Sequence, residues 1–312
     1  MRLDVIIPTH NRAALLARTL ESLLAADPAG SLEVCVTVVD NRSTDDTRST
    51  VESFHDRFGG RLHYVFEGQA GRSHALNAGI EHTIGDLVAM IDDDEEVDRT
   101  WFTCIEAAFR DAGTDFIGGP YVPRWGAERP AWLGTSYRAA VGWVDGGPEI
   151  RQYGPDFAGM LMGGNAVIRR TLLVRAGPYA ADLGRTSTRL MSCEDEDMFN
   201  RLLAAGGRGY YRPDLIIHHY VPPERLRRGY FRSWCFWHGV SLGLLDRRQR
   251  QPVPYVLGVP RYMFGSALRG VIDNARQLFG HRRPDRVFSN ELAWWDLAGF
   301  FYGKHWYRTS SS

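Results

Sequence analysis

Asp92, Asp93 and Asp94 stand in a row directly after the apolar run Leu87–Ile91, and Glu95 and Glu96 follow. Carboxylates this close raise one another's pKa and repel, so a compensating cation is expected beside them. Oxygen ligands suit Mg2+ or Mn2+, and in extended chain Asp92 and Asp94, two apart, would point the same way. Taken alone, the run also reads as a solvated turn whose Asp98 caps the next helix. A second acidic cluster, Glu194-Asp195-Glu196-Asp197, opens a helical pattern. It complements the helix dipole, and it also offers a carboxylate able to take a proton from a hydroxyl. His218-His219 supplies either a metal ligand or a structural histidine. Asp40 can accept hydrogen bonds from a base or ribose, while Arg72 and the Gly71 backbone can meet phosphate.

These residues need a frame, and the chain before them spells one. Leu3–Ile7 is a short β-rich run stopped by Pro8, and Leu15, Leu16, Leu20, Leu23 and Leu24 then recur at helical spacing. The pattern returns with Val34–Val39 and a helix expected from Thr44, capped by Ser43 or Thr44. It returns again with Leu62–Phe66 and Ser73–His82, and with Leu87–Ile91 and a helix from about Asp98. Strands alternating with helices specify an α/β fold, a mostly parallel Rossmann-like sheet covered on both faces. Ligands bind such sheets at the carboxyl ends of the strands, where every polar cluster named above falls. Residues 119–165 are irregular and read as a loop-rich substrate region, acceptor identity is expected to lie there and in 178–193, and a basic, aromatic, helical stretch closes the chain.

The 312 residues are 44% hydrophobic and 24% charged, which excludes a disordered tail or a fibre. No apolar run approaches the roughly 20 residues a membrane span needs, and no secretory signal pattern opens the chain. A cytoplasmic protein is expected. Cys35, Cys104, Cys193 and Cys235 form no CxxC pair and read as reduced, buried thiols. The 37 basic residues balance the 37 acidic ones, but residues 211–312 hold 16 of the former and 7 of the latter. An acidic front of this kind repels phosphate backbones and argues against nucleic acid as a partner. We expect a catalytic domain over residues 1–220 and a helical extension over 221–312. Arg225, Arg228 and Arg232 recur beside Tyr230, Phe231, Trp234 and Trp237, and Trp294-Trp295 and Phe300-Phe301-Tyr302 follow. That pattern points to peripheral association of this C-terminal third with a membrane surface, against the alternative that its aromatics are core.

Together the segments resemble glycosyltransferase family 2, inverting enzymes with the A-type glycosyltransferase fold. The resemblance runs in order through Val5–Arg12, Val38–Asp45, Gly71–Ile80, Ile91–Asp94, Gly163-Gly164-Asn165, Cys193-Glu194-Asp195 and His219–Arg225. It implies transfer of a sugar from a nucleotide-diphosphate sugar, commonly UDP-linked, to a hydroxyl of a glycan or lipid-linked acceptor at the inner face of the membrane. It implies that Pro8, Thr9, His10 and Asp40 hold the nucleoside and that Arg72 and Asp92 lie near ribose and diphosphate. Arg12, Asn77 and Asp93 are counted with these donor contacts. Asp94, with Asp92 and His219, would hold Mn2+ or Mg2+, and Asp195 would be the general base, with Glu194 beside it. Two departures are visible: Asn41 replaces a frequent second Asp, and Cys193 stands where Gly usually precedes Glu-Asp.

Three rivals compete. A sugar-phosphate nucleotidyltransferase would need a Gly-rich loop after the first strand, where Pro8-Thr9-His10-Asn11 stands instead. A dinucleotide-dependent oxidoreductase would need GxGxxG in that turn. A non-catalytic carbohydrate-binding protein accounts for the aromatics but needs no Asp195.

Overall fold

The computed structural model describes residues 1–183, 190–248, 250–278 and 283–307, and the chain divides into two compact units. The first comprises Met1–Arg124, Trp143–Ala181 and Glu194–Tyr220. The second comprises Trp125–Gly142, Asp182–Cys193 and Val221 onward.

In the first unit the chain alternates strand and helix: β1 (Arg2–Thr9), α1 (Ala13–Ala25), β2 (Glu33–Asp40), α2 (Thr47–Phe54), β3 (Leu62–Phe66), α3 (Arg72–Glu81) and β4 (Leu87–Met90). It continues through β5 (Glu95–Val97), α4 (Trp101–Phe109), β6 (Phe116–Gly118), β7 (Tyr121–Trp125), β8 (Arg151–Gln152), β9 (Ala166–Arg169) and α5 (Arg170–Ala176). Helix α6 (Glu194–Ala204), β10 (Gly209–Tyr211) and β11 (Ile217–Val221) complete it. Eight strands form the main sheet in the order β3-β2-β1-β4-β9-β6-β10-β8. Its first four strands are mutually parallel, and β9 runs antiparallel between β4 and β6.

Strand β1 shows why both faces must be covered, because all but its first residue are buried. Side chains alternate along a strand, so Leu3, Val5 and Ile7 pack with Leu16 and Leu20 of α1 and Trp101 and Ile105 of α4. Ile6 points the other way, into a core with Leu76 of α3 and Met198 of α6.

Two local expectations are corrected. Helix α2 starts at Thr47 rather than Thr44, because Ser43, Thr44 and Asp45 are spent on a neighbouring loop. Ser43 Oγ accepts from the Asn11 amide (2.9 Å), Asn11 Oδ1 accepts from the Thr44 amide (2.7 Å), and Asp45 accepts from the Ala13 amide (3.0 Å). The acid run does not lead straight into a helix either. Asp92 to Asp94 form a turn closed by the Glu95 amide on the Asp92 carbonyl (3.2 Å), and β5 follows. Strand β5 belongs to a second sheet, β5-β11-β7, in which His219 lies opposite Glu95.

The second unit is built on α7 (Arg228–Arg248), α8 (Arg261–Arg276) and α9 (Pro284–His305), with a hairpin of β12 (Tyr255–Val256) and β13 (Val259–Pro260). Gly239 and Gly243 on α7 meet Gly299 and Gly303 on α9, each four apart, so two backbones approach without side chains between them. A Cβ at Gly243 would stand 2.6 Å from the Phe300 carbonyl oxygen. We therefore expect Gly243→Ala to destabilise by about 1–3 kcal/mol through overpacking, read by denaturant unfolding. Gly229→Ala in the same helix meets nothing within 4 Å and should instead stabilise by about 0.5–1 kcal/mol. All four cysteines are free and buried.

Candidate active site

The acids at the end of β4 are compensated by this chain's own guanidiniums. Arg12 Nη1 lies 2.9 Å from both Asp93 Oδ1 and Asp94 Oδ2. Thr9 Oγ1 donates to Asp93 Oδ2 at 2.8 Å, so the end of β1 also grips the turn. Burial works against the charge on Arg12, but the two carboxylates hold its pKa above the ordinary value. Burial pushes the Asp93 carboxyl up to about 6, against the pull of Arg12 and with a further push from Asp94.

Arg72, at the first turn of α3, gathers the rest. Its guanidinium lies 2.9 Å from Asp92 Oδ1, 3.0 Å from Asp195 Oδ1 and 3.3 Å from Glu194 Oε1. Its side chain is only 14% exposed. The three acids keep it charged despite burial, raising its pKa well above the usual value. Asp92 and Asp94 thus turn to different partners, because the residues between β4 and β5 form a turn and not extended chain.

Asp195 opens α6, where the helix dipole favours a carboxylate. Its position depends on Gly163: a Cβ there would stand 2.7 Å from Asp195 Cγ. Gly164 does the same for Glu95, whose Cδ would lie 2.9 Å from an added Cβ. Asn165 then fastens the turn, accepting from Trp101 Nε1 (3.1 Å) and donating to the Leu215 carbonyl (2.7 Å). Within the quartet, Asp197 is paired with Arg201 (2.7 Å), and Glu194 is 7% exposed against 19% for Asp195. Asp195 is therefore more accessible to a substrate hydroxyl than Glu194.

His219, carried by β11, places Nε2 at 3.7 Å from Asp94 Oδ1. A carboxylate oxygen and an imidazole this close can share a divalent cation. The expected set of Asp92, Asp94 and His219 is not assembled, since Arg72 holds Asp92, and no cluster of three or more acidic, His or Cys ligands exists among the described residues. Glu95, next along, is fully buried and its Oε1 has no hydrogen-bond partner. Burial and the neighbouring Asp92 and Asp94 charges raise its pKa well above the ordinary carboxylate value.

The nucleoside candidates line the first two strand ends. Pro8 is buried within β1, and exposed His10 shares its Nδ1 with the Asn41 carbonyl (2.8 Å). Asp40 accepts from the Ser43 amide (2.7 Å) and the Tyr64 hydroxyl (2.6 Å). Burial first, then Asp40, raises that phenol to about 12. Asn41 accepts from the Gly71 amide (2.7 Å) and donates to the Gln69 carbonyl (2.6 Å), so the amide expected to meet phosphate already has a partner. Asn77 spends both amide atoms on the backbone of Tyr179 (2.9 and 2.8 Å), tying α3 to the chain after α5. Of the stretch 178–193 expected to bear on the acceptor, residues 184–189 lie outside the described ones.

The model of glycosyl transferase family 2 matches residues 4–176, more than half of the chain. The chain belongs to that family. It is 28% identical over 248 residues to the succinoglycan biosynthesis protein ExoM of Rhizobium meliloti, covering 78% of this chain and 75% of ExoM. It is 25% identical over 255 residues to the glucosyl-dolichyl phosphate glucuronosyltransferase of Haloferax volcanii, covering 79% and 78% of the two chains. Its fold is similar to that of a mannosyltransferase from Pyrobaculum calidifontis solved with GDP-Man and Mn2+. The TM-score is 0.63 at 20% identity, over 97% of this chain and 86% of that one. This family 2 member is a glycosyltransferase of the A-type fold that uses a nucleotide sugar.

Proposed function

We propose that the enzyme transfers a sugar from a UDP-sugar to a hydroxyl of a glycan or lipid-linked acceptor, inverting the anomeric carbon, with Mn2+ or Mg2+ bound. The observation that carries the reading is the Arg72 clasp, which joins Asp92 of the β4 turn to Asp195 at the start of α6. It brings a candidate base and a candidate diphosphate cation into one cluster within the first unit, to which we assign the chemistry.

On this reading Asp195 takes the proton of the acceptor hydroxyl as its oxygen bonds to the anomeric carbon. The bond to the diphosphate breaks with its electron pair, and Arg72, released from the acids, neutralises the departing group. Asp94 and His219 would hold the cation, which supplies further charge compensation to the diphosphate when bound. Pro8, Thr9, His10 and Asp40 hold the nucleoside, with Arg12 and Asp93 beneath it. A lipid-linked acceptor is supported by the name of one relative, a glucosyl-dolichyl phosphate glucuronosyltransferase, and a glycan acceptor by that of another, a succinoglycan biosynthesis protein.

The test is release of nucleoside diphosphate from a panel of UDP-, GDP- and dTDP-sugars with Mn2+, repeated in EDTA. Calorimetry should show Asp94→Asn losing the metal-dependent part of donor affinity while the protein stays folded. Donor affinity unchanged by EDTA would remove the cation from the reading.

A further inference from the structure

Part of the surface around α7 that was expected to face a membrane is taken up by packing. Phe231 and Trp234 are buried, Arg232 forms a 2.6 Å pair with Glu291, and Arg228 lies over the rings of Trp132 and Phe288. Exposed apolar side chains of the second unit lie on α8 and at its flanks, and also at Trp294, Trp295 and Tyr302 of α9 and at Trp306 just after it.

Leu268 (58% exposed), Val271 (47%) and Ile272 (43%) project from α8, and Leu278 (72%) follows just past its end. The spacing of Leu268, Val271 and Ile272 places these three on a single helical face. Met263, Ala267 and Gly270 are buried on the opposite side. At the entrance to the helix the β12–β13 turn exposes Leu257 at 73%, and Tyr262 in the first turn is 49% exposed. Soluble surfaces scatter such residues singly, whereas here three aliphatic side chains line one face of α8 and a fourth follows its end.

Charge decides the occupant. Arg261, Arg269 and Arg276 are exposed on α8, the last two along one edge of the apolar face. Neither Arg261 nor Arg276 pairs with an acid among the described residues, and Arg269 donates only to Ser266 Oγ (3.2 Å). The one acid of the helix, Asp273, is turned inward to Asn290 of α9 (3.0 Å) and Gln277 (3.3 Å). An aliphatic face with a cationic edge and no outward acid fits anionic headgroups over acyl chain. No described helix is long and apolar enough to cross a bilayer, so the contact is one of lying on the surface.

We propose that α8 docks the enzyme on an anionic phospholipid surface, with Leu268, Val271, Ile272 and Leu278 entering the acyl boundary and Arg269 and Arg276 at the headgroups. This deepens the reading of a lipid-borne acceptor and rests on it for its purpose, though the contact itself needs neither donor nor acceptor.

Flotation of the full chain with phosphatidylglycerol and with phosphatidylcholine vesicles, at low and high salt, tests it. Binding to phosphatidylglycerol that weakens with salt is expected. Arg269→Gln with Arg276→Gln should weaken it by roughly 30-fold. Leu268→Gln with Ile272→Gln should abolish it, and Val174→Gln, an exposed position of the first unit, should not change it. All these side chains are exposed, so nucleoside diphosphate release from a soluble reaction should persist in every variant. No flotation at low salt, or flotation indifferent to the α8 substitutions, overturns the proposal. A dimer dissolved by Leu268→Gln with Ile272→Gln, without vesicle binding, assigns the face to a second copy and overturns it too. Flotation lost with turnover intact sinks only the docking surface, whereas turnover absent with flotation intact sinks the transferase reading.

Discussion

Asp195→Asn is expected to lower turnover by about 10²- to 10⁴-fold while donor binding is retained, the range a positioned base supplies. The argument is one of access and partners. Asp197 is committed to Arg201, Glu194 is the more deeply buried, and Asp195 is backed by Gly163, where any larger residue would displace it. Asn keeps the shape and the contact distance and loses the ability to take a proton. Single-turnover measurements beside calorimetry separate chemistry from binding. If Glu194→Gln shows this phenotype and Asp195→Asn does not, the base is misplaced by one residue.

Arg72→Met is expected to cost about 3–5 kcal/mol of stability near neutral pH, because it strips the cation from three carboxylates that the fold has already desolvated. The side chain is only 14% exposed, so solvent screening recovers little. Denaturant midpoints of the variant and the parent, compared at neutral pH, read the loss. Equal midpoints at neutral pH would show that the clasp contributes nothing.

The parallel half of the sheet was legible because its information is local: β1, β2, β3 and β4 are apolar runs that end in polar turns. What the sequence hid depends on partners far away in the chain. Glu95–Val97 reads as the tail of an acid run and becomes a strand only because β11 pairs with it. Arg12 and Arg72 were visible as cations, but nothing near them in the chain names Asp93, Asp94, Glu194 and Asp195 as their acids. The aromatics of α7 alternate with arginines as an interfacial helix would, and their burial is decided by Trp132, Phe288 and Glu291, which belong to other segments. The Gly pairs of α7 and α9 were the missed local signal, since two small residues four apart on each of two helices announce close approach. Cys193 shows the reverse case: its φ of 77° is a conformation glycine adopts freely, a physical ground for the glycine the family resemblance leads one to expect there.

The pairing of β11 with β5 also fixes when the centre can come into being. Asp94 and His219 meet only after the chain between them has folded back, so the contact closes one of the longest loops in the first unit. Such contacts carry a large entropic cost before any reward and form late in folding. A chain truncated after residue 176, the end of the family match, retains Arg12, Arg72 and the β4 acids but lacks Asp195 and His219. During synthesis Arg12, Arg72 and the β4 acids are therefore made well before Asp195 and His219, and the cluster is complete only with the last strand of that unit.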